Sequence, residues 1–108
     1  MSEDNQIYIP ESFAALFVPP GRLKLSVGHA ELAARYELCE DMAQLLTETA
    51  KNMQFSLGIT EQDVLQQCLN GLLVEGSVVS GAEAMWVVHR LAELLYWPVL
   101  LHSHTPEA

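Results

Sequence analysis

The sequence predicts an all-α protein, a small bundle of one short and three longer helices with an extended connector at about residues 18–27. Half of the 108 residues are hydrophobic and 18% are charged, which favours a folded globular chain over a disordered one. Apolar residues recur every three to four positions in three long segments, and capping residues, Gly or Pro stand at the segment ends. We expect residues 1–108 to form a single domain whose ends, 1–6 and 103–108, are flexible.

A short helix and a connector are predicted for the N-terminal part of the chain. Pro10 suits a first helical position because the N–H that it lacks is not needed there, and Val18-Pro19-Pro20-Gly21 ends the helix after about Phe17. Arg22 to Val27 alternates polar and apolar residues, as an extended segment does. Six residues are too few for a sheet, so we expect the connector to press three apolar side chains on the core: Leu23, Leu25 and Val27.

The second helix, from about His29 to Phe55, has the clearest pattern. One apolar row has the 4-3-4-3 spacing of a packed helix seam and consists of Leu32, Tyr36, Cys39, Ala43, Leu46, Ala50 and Met53. A second row lies one step round the helix and consists of Leu38, Met42, Leu45 and Thr49. Together the two rows are wide enough to pack against two neighbouring helices. Gly58 is expected to end the helix as a left-handed cap.

Two shorter helices should follow. Thr60 can cap the third helix, and Ser80-Gly81-Ala82-Glu83 has the form of a capping box for the fourth, which should run to about Trp97 before Pro98. The apolar side of the third helix consists of Val64, Leu65, Cys68, Leu69, Leu72 and Leu73, and that of the fourth of Met85, Val88, Leu91, Ala92 and Leu95. Gly71 is unfavourable inside a helix, and we expect a close helix–helix contact to explain it.

Charge and composition argue against several classes of function. The net charge of −9 opposes nucleic-acid phosphates and anionic lipid surfaces, and no apolar run approaches the ~20 residues that cross a bilayer. Cys39 and Cys68 lie on apolar stripes, with no secretory context for a disulfide, so we expect inert reduced thiols and a cytoplasmic location. We therefore expect the chain to have no catalytic site, no cofactor and no metal site. We also expect it to bind neither nucleic acid nor a membrane.

The back of the fourth helix is the first candidate interaction surface. Trp86, Arg90 and Trp97 share one side of it, and tryptophan and arginine are enriched at binding hot spots. Alternatively, an N-terminal arm comprising Ile7, Tyr8, Ile9 and Phe13 folds over the tryptophans and completes a second core. The third helix adds an uncharged polar back, suited either to an interface or to plain surface, formed by Gln62, Gln66 and Asn70.

Histidines and carboxylates suggest an alternative function, a metal-dependent or small-molecule enzyme. His89 has Glu93 one turn further along the fourth helix, and such a pair can do acid–base chemistry. The acidic face of the second helix, which carries Glu37, Asp41 and Glu48, could recruit a divalent cation. His102 and His104 could share a metal ion, but a third fixed ligand is missing nearby.

Ile7-Tyr8-Ile9-Pro10 followed by Ala34-Arg35-Tyr36-Glu37-Leu38-Cys39-Glu40-Asp41 resembles a family of small uncharacterised bacterial proteins. The likeness covers most of the chain and includes Trp86-Val87-Val88 and Arg90-Leu91-Ala92-Glu93-Leu94-Leu95. Some members carry the label ATPase with chaperone activity. A phosphate-binding Walker loop needs a Gly-Lys-Ser/Thr step, and neither Lys24 nor Lys51 follows a glycine. The resemblance therefore implies a family without an established activity, and the sequence favours a non-catalytic module that binds a protein partner or itself.

Overall fold

The computed structural model describes residues 8–98 and confirms the all-α class. Its helices are α1 (Glu11–Ala14), α2 (His29–Leu57), α3 (Glu61–Leu72) and α4 (Gly81–Leu95), with a 3₁₀ turn at Ala15–Phe17 directly after α1. No strand occurs between residues 8 and 98. Over the same residues, no helix is both long and apolar enough to cross a bilayer.

The chain divides into two compact units, Met1–Leu38 and Cys39–Ala108, and the boundary between them lies inside α2. One helix therefore contributes its N-terminal third to the first unit and the remainder to the second. The expectation of a single domain stays a prediction.

An aromatic cluster forms the core of the first unit. Phe13 is fully buried, and its ring centroid lies 5.4 Å from that of Phe17 and 5.6 Å from that of Tyr36. Pro10 is extended rather than helical and precedes α1, where its carbonyl accepts hydrogen bonds from the N–H groups of Phe13 and Ala14, both at 3.0 Å. The short first helix therefore forms where the sequence predicts it and changes to 3₁₀ geometry in its second half.

The connector between the 3₁₀ turn and α2 does not pack as predicted. Leu23 is 98% exposed and Leu25 is 40% exposed, while Val27 is half-buried. The N–H of Ser26 donates to the carbonyl of Phe17 at 2.6 Å, which folds the connector into a loop. Because the backbone bends at several of its residues, alternating side chains do not fall on one inward face, and the predicted packing of Leu23 and Leu25 on the core is wrong.

In the second unit, α2 buries one narrow side. Cys39, Ala43 and Ala50 are fully buried, as the predicted seam requires, and Leu46 and Met53 beside them are half-buried. The helix ends at Leu57, and the next residue, Gly58, confirms the left-handed cap by its positive φ of 65° and by its N–H bond to the Gln54 carbonyl at 2.9 Å. The second predicted apolar row of α2 is covered along only part of its length, since Leu45 is 76% exposed and Thr49 is exposed.

Capping side chains fix the starts of α3 and α4, which pack against each other. Thr60 Oγ1 accepts a hydrogen bond from the Asp63 N–H at 3.1 Å. Ser80 and Glu83 form the predicted capping box: Ser80 Oγ accepts from the Glu83 N–H at 3.1 Å, and Glu83 Oε1 accepts from the Ser80 N–H at 2.9 Å. The buried apolar side chains of these two helices are Val64, Leu65, Cys68, Leu69, Leu72, Ala84, Val87, Val88, Leu91 and Ala92.

Two details of these helices differ from expectation. The α4 helix ends at Leu95 rather than Trp97, because Tyr96 adopts a left-handed conformation with φ 61°. The Trp97 N–H donates to the Ala92 carbonyl at 2.9 Å, which is the 6→1 hydrogen bond of a Schellman motif. Gly71 is exposed, and a Cβ there would meet nothing within 4 Å, so the predicted close helix contact at Gly71 is wrong.

Candidate interaction surface

The tryptophan row is neither fully covered nor fully open, and only Trp86 and Arg90 of it lie on α4, because the helix ends at Leu95 before Trp97. Trp86 and Trp97 are both half-buried, and so is Arg90 between them. Ile7, the first residue of the arm predicted to cover the tryptophans, lies outside the described residues. Binding of a partner by this row therefore stays a prediction. Coverage of the row by the N-terminal arm stays a prediction as well.

The guanidinium of Arg90 donates hydrogen bonds to two carboxylates. Its Nε donates to Glu40 Oε1 at 2.9 Å and its Nη2 to Glu40 Oε2 at 3.1 Å, which is a bidentate pair between α4 and α2. Its Nη1 donates to Glu93 Oε1 at 3.0 Å on α4 itself. A planar guanidinium suits such a fork, so Arg90 ties α4 to α2 within the second unit.

Hydrogen bonds around this pair shift the pKa values of both partners. Burial raises the pKa of the Glu40 carboxyl, but hydrogen bonds from Arg90 and Gln44 and the charge of Arg90 outweigh burial, so the pKa lies below its ordinary value. The Gln44 bond, Nε2 to Glu40 Oε2, measures 2.8 Å. The hydrogen bond to Glu40 raises the pKa of Arg90, burial opposes this, and Glu93 adds to the rise. The pair is therefore ionised at neutral pH.

The polar back of α3 is partly engaged within the second unit. Gln62 Nε2 donates to the carbonyl of Pro98 at 2.7 Å, which ties the start of α3 to the residues after α4. Gln66 Nε2 donates to Asn70 Oδ1 at 3.1 Å, and both side chains are exposed. Gln62 thus has a structural contact, whereas Gln66 and Asn70 face outward together.

A second surface lies on α2 opposite its buried seam; it includes Asp41 and Glu48 of the predicted acidic face and two apolar residues, Leu45 and Phe55, whose exposure the sequence pattern did not predict. Five exposed residues share this side at 4-3-4-3 spacing, and we call them the outer strip: Asp41, Leu45, Glu48, Asn52 and Phe55. Leu45 is 76% exposed and Phe55 is 91% exposed. The spacing itself could have revealed the strip, because its register is offset by two positions from that of the buried seam, Cys39, Ala43, Leu46, Ala50 and Met53.

The second unit, which carries the outer strip, is strongly acidic as a whole. Residues 39–98 contain eight acidic residues against two cations, a net charge of −6. Both cations lie against carboxylates: Arg90 against Glu40 and Glu93, and Lys51 Nζ 3.7 Å from Glu48 Oε2. The Lys51–Glu48 pair joins side chains that are 57% and 76% exposed, so water and salt screen it.

The histidines and carboxylates of the alternative function are dispersed. His89 is exposed, and the Glu93 carboxylate beside it accepts the hydrogen bond from Arg90. Among residues 8–98, no group of three or more His, Cys, Asp and Glu side chains could hold a metal ion. His102 and His104 lie outside the described residues. The enzyme hypothesis stays a prediction.

Both cysteines are buried, and neither forms a disulfide bond. Burial raises the pKa of the Cys68 thiol, so it stays protonated at neutral pH. This environment agrees with the expectation of an apolar, unreactive thiol at Cys68.

Comparison with known proteins found no matching family model, no matching curated protein and no matching solved structure.

Proposed function

We propose that the chain is a non-catalytic interaction module that binds a protein partner or a second copy of itself through the outer strip of α2. The observation that carries the proposal is the exposure of Leu45 (76%) and Phe55 (91%) on a helix whose opposite side is buried. A lone exposed leucine would mean little, because much of any protein surface is apolar. Two large apolar side chains on one helix side, among polar neighbours, are typical of the anchors that a helical partner contacts.

The tryptophan row is a second part of this proposal. Trp86 and Trp97 keep part of their surface exposed, and Gln66 and Asn70 offer an uncharged polar face on α3. Arg90 contributes to binding only if a partner competes with Glu40 and Glu93 for its guanidinium. For this reason we assign the main anchors to the outer strip rather than to the row.

The proposed location is the cytoplasm of a bacterial cell. Two observations support it: the two buried cysteines form no disulfide, which suits a reducing compartment, and the sequence resembles small bacterial proteins.

The test compares the wild-type chain with Leu45→Ser/Phe55→Ser and with Tyr96→Asn as a matched control. Tyr96 is 93% exposed, so the control also replaces an exposed aromatic residue with a polar one, and Asn tolerates the left-handed backbone. Circular dichroism checks that all three chains fold. Light scattering gives their oligomeric state, and affinity capture from a lysate of the source cells gives their partners.

The proposal predicts that the wild type either self-associates or retains a specific protein, that the double variant loses this behaviour, and that Tyr96→Asn keeps it. A wild-type chain that is strictly monomeric and retains nothing would contradict the proposal. Equal behaviour of the double variant and the wild type would contradict it as well.

A further inference from the structure

We infer that the outer strip binds a cationic amphipathic helix of another protein. The inference rests on the proposed function and adds the chemistry of the partner. It starts from the composition of the strip, in which the carboxylates of Asp41 and Glu48 alternate with the apolar side chains of Leu45 and Phe55. From Asp41 to Phe55 the strip is about 21 Å long, the length that four turns of a second helix would cover.

A partner helix that fits the strip has two kinds of side chain on one face. Apolar residues about ten positions apart would contact Leu45 and Phe55, which are separated by about 15 Å along α2. A Lys or Arg residue between them would reach Glu48, and another about four positions beyond the residue that contacts Leu45 would reach Asp41. The chemistry of the strip thus calls for an amphipathic helix with positive charges beside its apolar row.

The two cations of the second unit give these carboxylates one exposed ion pair, at Glu48, and none at Asp41. Among residues 39–98 the cations are Lys51 and Arg90, and Arg90 is fully committed to Glu40 and Glu93. Lys51 lies 3.7 Å from Glu48 in an exposed pair, which an incoming cation can replace at little cost. The net charge of −6 over these residues attracts a cationic segment from a distance.

A second copy of this chain is a poor occupant of the same strip. In a parallel pairing of two strips, Asp41 and Glu48 would face the same carboxylates of the other copy. An antiparallel pairing centred on Glu48 would set Phe55 of one copy level with Asp41 of the other. A pairing centred on Ala50 would set Leu45 level with Phe55, but it places no cation opposite Asp41 or Glu48. Every such arrangement brings together two units of net charge −6 and leaves strip carboxylates without a cation from the other copy, which is unfavourable.

The test uses the full chain and three synthetic peptides of about 18 residues each. The first is an amphipathic helix with leucines on one face and lysines on its flanks. In the second every Lys is replaced by Glu, and the third keeps the composition of the first but scatters its leucines round the helix. Isothermal titration calorimetry measures binding of each peptide to the wild type, to Leu45→Ser/Phe55→Ser, to Asp41→Asn/Glu48→Gln and to Tyr96→Asn.

We expect the cationic amphipathic peptide to bind the wild type at least about tenfold more tightly than either the acidic or the scattered peptide. Each double variant should weaken its binding by about tenfold or more, whereas Tyr96→Asn should leave it within about twofold. Raising the salt concentration should weaken binding to the wild type more than binding to Asp41→Asn/Glu48→Gln. The Asp41→Asn/Glu48→Gln variant preserves side-chain shape, so its folding is not in question.

The inference is overturned if the acidic peptide binds as well as the cationic one, or if neither double variant weakens binding. It is also overturned if the wild type binds no peptide but forms a dimer that Leu45→Ser/Phe55→Ser dissociates. In that last case the proposed function stands, because the strip would be a self-association surface. A monomer that binds no peptide and captures no protein contradicts both.

Discussion

Tyr96 provides a prediction whose magnitude follows directly from the backbone. It is a non-glycine residue with positive φ, at 61°, and it ends α4 in a position that glycine usually occupies. The left-handed conformation costs an ordinary residue about 1–2 kcal/mol. Glycine avoids this cost but loses about 0.4–1 kcal/mol more entropy on folding. Because the side chain is 93% exposed, Tyr96→Gly removes little packing, and a net stabilisation of about 0.5–1 kcal/mol is expected.

Thermal unfolding followed by circular dichroism measures this effect. With an unfolding entropy of about 2.1 cal/mol/K per residue, the stabilisation corresponds to a rise in Tm of about 2–4 °C for this chain. Tyr96→Ala is the matched control, since alanine also pays the left-handed cost, and it should leave Tm nearly unchanged. A Tyr96→Gly variant that is no more stable than Tyr96→Ala would refute the reasoning and would mean that α4 does not end in a left-handed residue.

Further predictions concern the second unit. Arg90→Met should lower the free energy of unfolding in urea by about 1–3 kcal/mol, because it leaves the Glu40 carboxylate, only 18% exposed, without its charged partner. A loss under about 0.5 kcal/mol would contradict this and would show that the pair contributes no more than an ordinary surface ion pair. The lowered pKa of Glu40 means that its contribution is fully present above the unfolded pKa of about 4.3 and is lost as pH falls through the folded pKa. The stability difference between wild type and Glu40→Gln should therefore be largest near neutral pH and shrink in acid, and a constant difference from pH 3 to 7 would contradict the assignment. Gly71→Ala should stabilise the chain by about 0.5–1 kcal/mol, since a Cβ there meets nothing within 4 Å; destabilisation would reveal a close contact after all.

Local chemistry made the starts of α3 and α4 and the end of α2 predictable from sequence. Capping boxes act between residues three apart, so Ser80 and Glu83 specify the start of α4 without any tertiary information. Gly58 ends α2 for an equally local reason, because glycine tolerates the left-handed backbone. Periodicity likewise located the buried seam of α2, because small and apolar residues recur on one side of it.

Tertiary context decided the features that sequence could not predict. The alternation from Arg22 to Val27 predicted an inward-facing strand, but a loop closed by Ser26 and Phe17 leaves Leu23 in solvent. Leu45 looked like part of a second packing row because apolar spacing does not reveal how many neighbours a helix has. The bidentate bond of Arg90 to Glu40 joins residues 50 apart in the chain, so no local pattern could have assigned that partner. Interpreting Arg90 as a binding residue therefore depended on its type rather than on its contacts.

The central claim is that the outer strip of α2 is open in the free chain and covered by a cationic helix. Fluorine NMR of the full chain, with 4-fluorophenylalanine at its three phenylalanine positions, tests this claim directly. A soluble gadolinium chelate should broaden the signal of Phe55, which is 91% exposed, far more than that of Phe13, which is fully buried, and Phe55→Leu assigns the signal. The account predicts that the cationic amphipathic peptide then protects Phe55 from the chelate. A Phe55 signal that is already protected in the free chain, or one that stays equally broadened at saturating peptide, would contradict the claim.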